Sequence, residues 1–210
     1  MKFSLRNVFA CLAGLMALLV AGCVNVNVDG LESRPDTTRF YAMGIQENAQ
    51  TGLISGTKTI GIQRIDVVAH LQSPLMAVRL SSHEYSYVSE HRWISSLDDA
   101  IGQRVEASLE SGDGIAAVQL LPWPDGFQPD YRVALQIIEC ETDKSGSAHF
   151  AANWEVTQRG AVSTCYRGKT RYEAKGREGD YAGLAENLAK GADKLAADIL
   201  EAVNDSTWQN

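Results

Sequence analysis

The spacing of apolar positions divides the chain into an apolar N-terminal run, a polar stretch and a folded region. Val8–Val20 is apolar apart from small residues and follows the positively charged Lys2 and Arg6. Residues 24–38 are rich in Asn, Asp, Gly and Pro, without an apolar period long enough to pack, which predicts a tether. From Arg39 onwards, the apolar positions recur with the periods of strands and helices.

Alternating apolar and polar residues predict a series of short strands. They span residues 39–43, 59–67, 75–80, 84–88, 117–121, 131–137, 149–156 and about 162–172. The alternation slips at Arg64-Ile65, which indicates a bulge or bend. Ser81-Ser82-His83 favours a hairpin, turns at 143–146 and 158–160 predict an antiparallel meander, and residues 46–56 are typical of a loop.

Two apolar stripes with a period near four residues predict helices. The first helix starts at Ser96, with Asp99 as a weak capping box, and ends at Ser111–Gly114. The second spans about Tyr181–Val203, and we expect its stripe to pack on the domain's own sheet rather than on a membrane. The stripes consist of Leu97, Ile101, Val105 and Leu109, and of Leu184, Leu188, Leu195 and Ile199. The fold class expected is α+β, a single two-layer domain with a mixed or antiparallel sheet and two main helices on one face.

The N-terminal run has the organisation of a secretory signal peptide, with a positive start, a short apolar segment and small residues at its end. Val20-Ala21-Gly22-Cys23 matches the bacterial lipobox, in which the cysteine sulfur takes a diacylglycerol and the preceding peptide is removed. The alternative is an ordinary cleaved signal with Cys23 present by chance. The predicted organisation is a signal peptide at 1–22, a lipidated N-terminus and tether at 23–38, and a domain at 39–205.

The chain is acidic, with 210 residues and a formal charge of -7, and the predicted signal peptide carries no acid. This charge argues against a nucleic-acid partner and against a broad electrostatic grip on anionic lipid. The acyl groups on Cys23 would hold the protein at a membrane, since several chains anchor firmly where one does not. Val24 replaces the aspartate that retains lipoprotein in the inner membrane of enteric bacteria, which predicts the outer membrane, facing the periplasm.

No catalytic or metal-binding motif is evident in the sequence. The histidines His70, His83, His91 and His149 lack a metal-ligand spacing, and there is neither a nucleophile elbow nor a phosphate-binding glycine loop. We therefore expect no catalytic residue, no metal and no cofactor. Cys140 and Cys165 form a possible disulfide: the secretory compartment favours it, and their places at opposite ends of a simple meander disfavour it.

Several stretches resemble the PqiC-like family of ABC-type transport auxiliary lipoproteins. The segment Ile60–Arg79, which contains a Leu-x-x-Pro run ending at Pro74 and itself ends at Arg79, is similar to a strand and loop of that family. Glu90-His91-Arg92-Trp93 before the first helix resembles its Arg-Trp motif, and Arg39-Phe40-Tyr41 fits as well. Leu71-Gln72-Ser73-Pro74 departs from the family, whose members usually have an aromatic residue before the leucine and an acid after it.

The resemblance implies a non-enzymatic lipoprotein that works with MCE-domain proteins and ABC transporter subunits in moving lipid or hydrophobic solutes, and whose homologues form oligomers. The alternatives are a structural or assembly lipoprotein that never meets transported lipid and, least favoured, an envelope hydrolase. Trp93 either staples the first helix to the sheet, with Arg92 bound to a carboxylate, or both contact a partner. The structural role is favoured.

Overall fold

The structure is a computed structural model that describes residues 36–44, 56–160 and 166–205. Its elements are β1 (Arg39–Tyr41), β2 (Lys58–Val67), β3 (Leu75–Ser81), β4 (Glu84–Trp93), α1 (Leu97–Glu110), β5 (Ile115–Leu120), β6 (Tyr131–Asp143), β7 (Ala148–Gln158), β8 (Tyr166–Ala174) and α2 (Tyr181–Asn204). A short 3-10 turn, Ala69–Leu71, lies between β2 and β3. Cys23, Cys165, the signal peptide, nearly all of the predicted tether and the predicted loop at 46–56, apart from Gly56, lie outside the described residues.

The strands form one mixed sheet organised around β6, the longest of them. Along one edge, β6 pairs antiparallel with β7, and β8 continues this meander as predicted. Along the other edge, the first half of β6 pairs parallel with β2, which also pairs with β5. The last two residues of β6, Thr142 and Asp143, pair parallel with β3, which continues through the predicted β3–β4 hairpin to β1. The sheet therefore forks on one side of β6.

Both helices cover the same face of this sheet, which confirms the expected α+β architecture. The stripe predicted for α1 is buried, as is the stripe of α2, in which Leu188, Leu195 and Ile199 have no exposed surface. Helix α2 packs on β7 and β8 and against α1. Gly191 permits its close approach, because a Cβ atom there would lie 2.7 Å from Phe150 Cβ. The apolar stripe of α2 thus belongs to the domain core.

Two of the register shifts in the sheet decide which face the side chains of β2 and β6 take. The slip predicted in β2 is present as a register shift between Ile62 and Ile65. A second shift, in β6 between Ile137 and Glu139, has no counterpart in the predicted pattern. Side chains alternate along a strand, so this bulge turns Cys140 towards the helices and Glu139 to the opposite face. Without it, the acidic side chains would share the core face with Ile137.

An ion pair joins the two helices beside the apolar core. Arg104 of α1 is 8% exposed, and its Nε and Nη2 donate to the two carboxylate oxygens of Asp193 on α2, each at 2.6 Å. Arg104 Nη1 donates to the carbonyls of Gly44 and Met43, and Ser108 Oγ donates to Asp193 Oδ1. The pair therefore fixes both helices and the chain that follows β1. No helix in the described parts of the chain is long and apolar enough to cross a membrane.

Candidate functional site

The Pro-to-Arg-Trp motif lies on β3 and β4, in the branch of the sheet that also contains β1. The Trp93 backbone N–H donates to the Pro74 carbonyl at 2.8 Å, so the beginning of the motif meets its end. The Trp93 side chain is only 5% exposed and packs in the core just before α1. These contacts support the structural role favoured for Trp93. Arg79, near the other end of β3, faces a different cluster of side chains.

Arg92 forms no ion pair with a carboxylate among the described residues, so its expected binding to a carboxylate stays a prediction. Strand β4 runs further than the predicted 84–88, and Arg92 is an exposed strand residue. Its register partner in β1 is Phe40, which is 61% exposed. The Ile94 backbone N–H donates to the Tyr41 carbonyl, which places the 67% exposed Ile94 next to this pair.

The opposite face of β1 and β4 is tied to α2 by three rings. Tyr41 Oη hydrogen-bonds His91 Nδ1 at 2.8 Å, and the His91 ring lies 4.0 Å from the Tyr181 ring at the start of α2. Burial, with a smaller contribution from the charge of Arg39, lowers the pKa of His91. Because strand side chains alternate, Phe40 and Arg92 lie on the face turned away from the helices.

Arg79 faces two carboxylates of β6 on the side of the sheet away from the helices. Its Nη1 is 3.7 Å from Glu141 Oε1 and 4.0 Å from Glu139 Oε2. Arg171 of β8 approaches Glu139 Oε1 at 3.6 Å, so the charges extend across four strands. The arrangement joins the β3–β4 hairpin to the central meander, where the strands themselves share two residue pairs.

Glu141 is the most buried member of this cluster, with a side chain that has no exposed surface. Its Oε2 accepts from the Cys140 backbone N–H at 2.9 Å, whereas its Oε1 and His70 Nε2 have no hydrogen-bond partner among the described residues. Burial raises the pKa of Glu141, although the Cys140 N–H and Arg79 oppose the effect. Burial and the charge of Glu141 also raise the pKa of Tyr85. The sequence pattern did not reveal this cluster, because its members come from separate strands.

Cys140 is buried, and burial raises the pKa of its thiol well above the usual range, with a smaller effect of Glu141. Its register partner in β7 is Phe150, whose partner in β8 is Tyr172. At about 3.3 Å per residue, Tyr172 lies about 20 Å along β8 from Tyr166, where the described part of that strand begins. Cys165 itself lies outside the described residues, and its disulfide with Cys140 stays a prediction that this register disfavours.

An open pocket of about 470 Å³ lies between the end of β3, the β6–β7 turn and the start of α2. Val78, Leu80 and Leu184 supply apolar walls, and Lys144 and Arg177 stand at its edge. This volume is at the small end of the range for ligand pockets. Among the described residues, no group of three or more His, Cys, Asp and Glu side chains could hold a metal ion. The polar clusters described here connect strands and helices.

The fold defines a small α+β module, with two helices on one face of a forked mixed sheet. The chain belongs to the family of the ABC-type transport auxiliary lipoprotein component, whose model matches residues 41–200. The family is one of envelope lipoproteins associated with ABC transport systems, and it is named for that association rather than for a reaction. No curated protein matches the chain.

Solved structures share this fold at low sequence identity. An uncharacterized protein is 15% identical with a TM-score of 0.65, and the match covers 80% of this chain and 99% of that one. Protein XCC0632 from Xanthomonas campestris, of the DUF330 family, is 16% identical with a TM-score of 0.64, covering 79% and 94%. A PelC dodecamer from Paraburkholderia phytofirmans is 14% identical with a TM-score of 0.41, covering 68% and 86%. The first two likenesses establish the fold.

Proposed function

We propose that the protein is a periplasmic lipoprotein, anchored through Cys23, that serves as an auxiliary component of an ABC/MCE-type transport system for lipid or another hydrophobic solute. The observation that carries this proposal is the family match over residues 41–200, preceded in the chain by a lipobox. The role is non-enzymatic and contributes to envelope integrity. The proposed boundaries are 1–22 for the signal peptide, 23–38 for the anchor and tether, and 39–205 for the domain.

The anchor is tested by Cys23→Ser in the full chain. The variant lacks the sulfur that receives diacylglycerol, so the precursor is expected to stay uncut and to take up no labelled palmitate. Intact-mass spectrometry and membrane fractionation read both effects, with Cys11→Ser, inside the signal peptide, as the control. Processing of Cys23→Ser at the same bond, with retention in the membrane fraction, would contradict the lipobox assignment.

The partner assignment is tested by purifying the lipidated protein from its own host under mild solubilisation. Capture of an MCE-domain protein and of ABC transporter subunits, together with bound lipid identified by mass spectrometry, supports the transport role. A structural or assembly lipoprotein is the alternative, and it would bring envelope proteins without transported lipid. Separation of the two membranes on a sucrose gradient tests the location, for which Val24 supports the outer membrane. The mass of the complex reports whether the protein forms a homo-oligomer.

A further inference from the structure

We infer that the exposed edge formed by Phe40, Arg92 and Ile94 is a membrane-contact surface. It rests on the anionic phospholipid leaflet into which the acyl chains on Cys23 insert. We call this set the β1–β4 patch. The inference rests on the proposed lipidation at Cys23 and adds to it a defined orientation of the domain. The stretches Arg39-Phe40-Tyr41 and Arg92-Trp93 contain buried residues that pack in the domain and exposed residues that have no role in the fold. The inference assigns a function to the exposed ones.

The apolar side chains of the patch are unusually exposed. Phe40 is 61% and Ile94 is 67% exposed, more than the other exposed large apolar side chains of the described residues, Tyr87, Leu121 and Tyr166. Phe40 lies opposite Arg92 in the register, and the hydrogen bond from Ile94 N–H to the Tyr41 carbonyl keeps Ile94 beside them. Two large apolar groups thus project from one rigid strand edge.

The charge beside these groups favours an anionic surface. Arg92, the register partner of Phe40, is exposed and makes no ion pair within the described residues. The protein as a whole carries a formal charge of -7 and is repelled by an anionic leaflet. An arginine beside an aromatic and an aliphatic side chain has the composition of an interfacial contact. Because the leaflet repels the acidic remainder of the protein surface, the domain would orient with this edge towards the lipid.

The position of the patch in the chain brings it to the membrane. Residues 24–38 separate Cys23 from Arg39, and a coil of about 15 residues has a root-mean-square span of about 20 Å. The patch begins at the first strand after this segment. Tethering raises the effective concentration of the leaflet at the patch, so a contact too weak to bind a free domain is sufficient once the anchor holds. The helix-facing rings Tyr41, His91 and Tyr181 fix the strand edge on the body of the domain.

The test places the photo-crosslinker p-benzoylphenylalanine at position 40 of the full-length protein, where it replaces an aromatic side chain. The lipidated protein, its three acyl chains verified by intact mass, is reconstituted in vesicles of phosphatidylethanolamine and phosphatidylglycerol and irradiated. We expect phospholipid adducts at position 40 at least several-fold above those from position 186. Glu186 is the control, since it lies on α2 with 71% of its side chain exposed.

A second variant separates contact from folding. The double variant Phe40→Ser/Ile94→Ser removes only exposed apolar groups, so its melting temperature should stay within a few degrees of that of the wild type. Phospholipid crosslinking from p-benzoylphenylalanine placed at position 92 should fall severalfold in this variant. Arg92→Gln should reduce adducts at position 40 in phosphatidylglycerol vesicles and leave those in phosphatidylcholine vesicles unchanged. Lys175→Gln, an exposed cation distant in sequence from the patch, should change neither.

The alternative occupants give different products. An adduct of twice the protein mass would assign the patch to a second copy of this chain, an adduct with another protein would assign it to a partner subunit, and either result overturns the inference. Equal lipid labelling at positions 40 and 186 overturns it too. A protein whose intact mass shows no acyl chains would overturn the anchor and the inference together, whereas a lipidated protein without labelling at position 40 overturns the inference alone.

Discussion

At the residue scale, the charged side chains that matter most to the fold are those with little exposure to solvent. Arg104 and Asp193 join α1 to α2, and Glu141 lies buried with Arg79 as its counter-ion. Neither set was identified from the sequence, and Asp193 lies off the predicted apolar stripe of α2. Local periodicity reports burial along one element, and it contains no information on which distant charge will face it.

Removal of Arg104 leaves Asp193 without its counter-ion and two carbonyl oxygens without their donor. Arg104→Met is expected to destabilise the domain, at the low end of the about 3–5 kcal/mol seen when one partner of a buried ion pair is lost, because 26% of the Asp193 side chain is exposed. Urea unfolding of Arg104→Met, Asp193→Leu and the double variant measures the effect. The double variant should lose less stability than the sum of the single ones, and strict additivity would contradict a coupled pair.

Glu141 gives the stability of the domain a specific pH dependence. Its pKa in the folded state is raised above the unfolded value, so the native state binds the proton more tightly. That contribution is present below the ordinary glutamate pKa of about 4.3 and is lost as the pH rises through the folded-state value. Glu141→Gln keeps an acceptor for the Cys140 N–H, and its melting temperature is therefore expected to exceed that of the wild type near pH 7. The difference in melting temperature should be larger at pH 7 than at pH 4.

Thermal melts between pH 4 and pH 8 measure this difference. Glu186→Gln, an exposed substitution on α2, serves as the control and should leave the profile unchanged. A lower melting temperature of Glu141→Gln at neutral pH would show that the attraction of Arg79 outweighs the cost of burying the carboxylate.

At the element scale, regular strands and helices were predictable and their partners were not. The period-four stripes gave both helices to within about two residues, since a stripe that must face a core is visible locally. The parallel pairs of β6 with β2 and β3 join segments far apart in the chain, and nothing in either segment specifies the other. The bulge after Ile137 escaped prediction for a related reason: its purpose, to move Glu139 and Glu141 off the core face, is visible only once that face is known.

Helix α2 offers the sharpest test of an element. Leu188 is fully buried, so Leu188→Ala is expected to cost about 2–5 kcal/mol through lost burial and the cavity left behind. Leu188→Asp should lower the melting temperature of the unlipidated chain, residues 24–210, by a large amount. Glu186→Ala, two residues earlier on the exposed side of the helix, should be nearly neutral. An unchanged melt with loss of assembly would instead place the stripe in an intersubunit contact.

At the scale of the whole molecule, the family was recognisable because its motif residues also build the structure. Pro74 and Trp93 meet through a backbone hydrogen bond that closes the β3–β4 hairpin, so their order in the sequence reflects a contact in the fold. Arg92 and Phe40 belong to the same motifs and are opposite each other in the register of β1 and β4, which the sequence alone does not show. The two-layer class and the core were therefore predictable from sequence, whereas the exposed strand edge and the charge cluster were not.

The fork in the sheet has a consequence for the order in which the domain opens. Strands β3, β4 and β1 join the remaining sheet through two backbone pairs, Val78 with Thr142 and Arg79 with Asp143, whereas β7 pairs with β6 over nearly its whole length. Local unfolding follows such weak seams, because few hydrogen bonds must break to release a contiguous unit. The backbone seam is therefore narrow, and side chains hold the hairpin branch on the domain: Trp93 packs in the core, Arg79 faces Glu141, and the Tyr41, His91 and Tyr181 rings join β1 and β4 to α2. The branch can separate from the meander only when these side-chain contacts break together with the two backbone pairs.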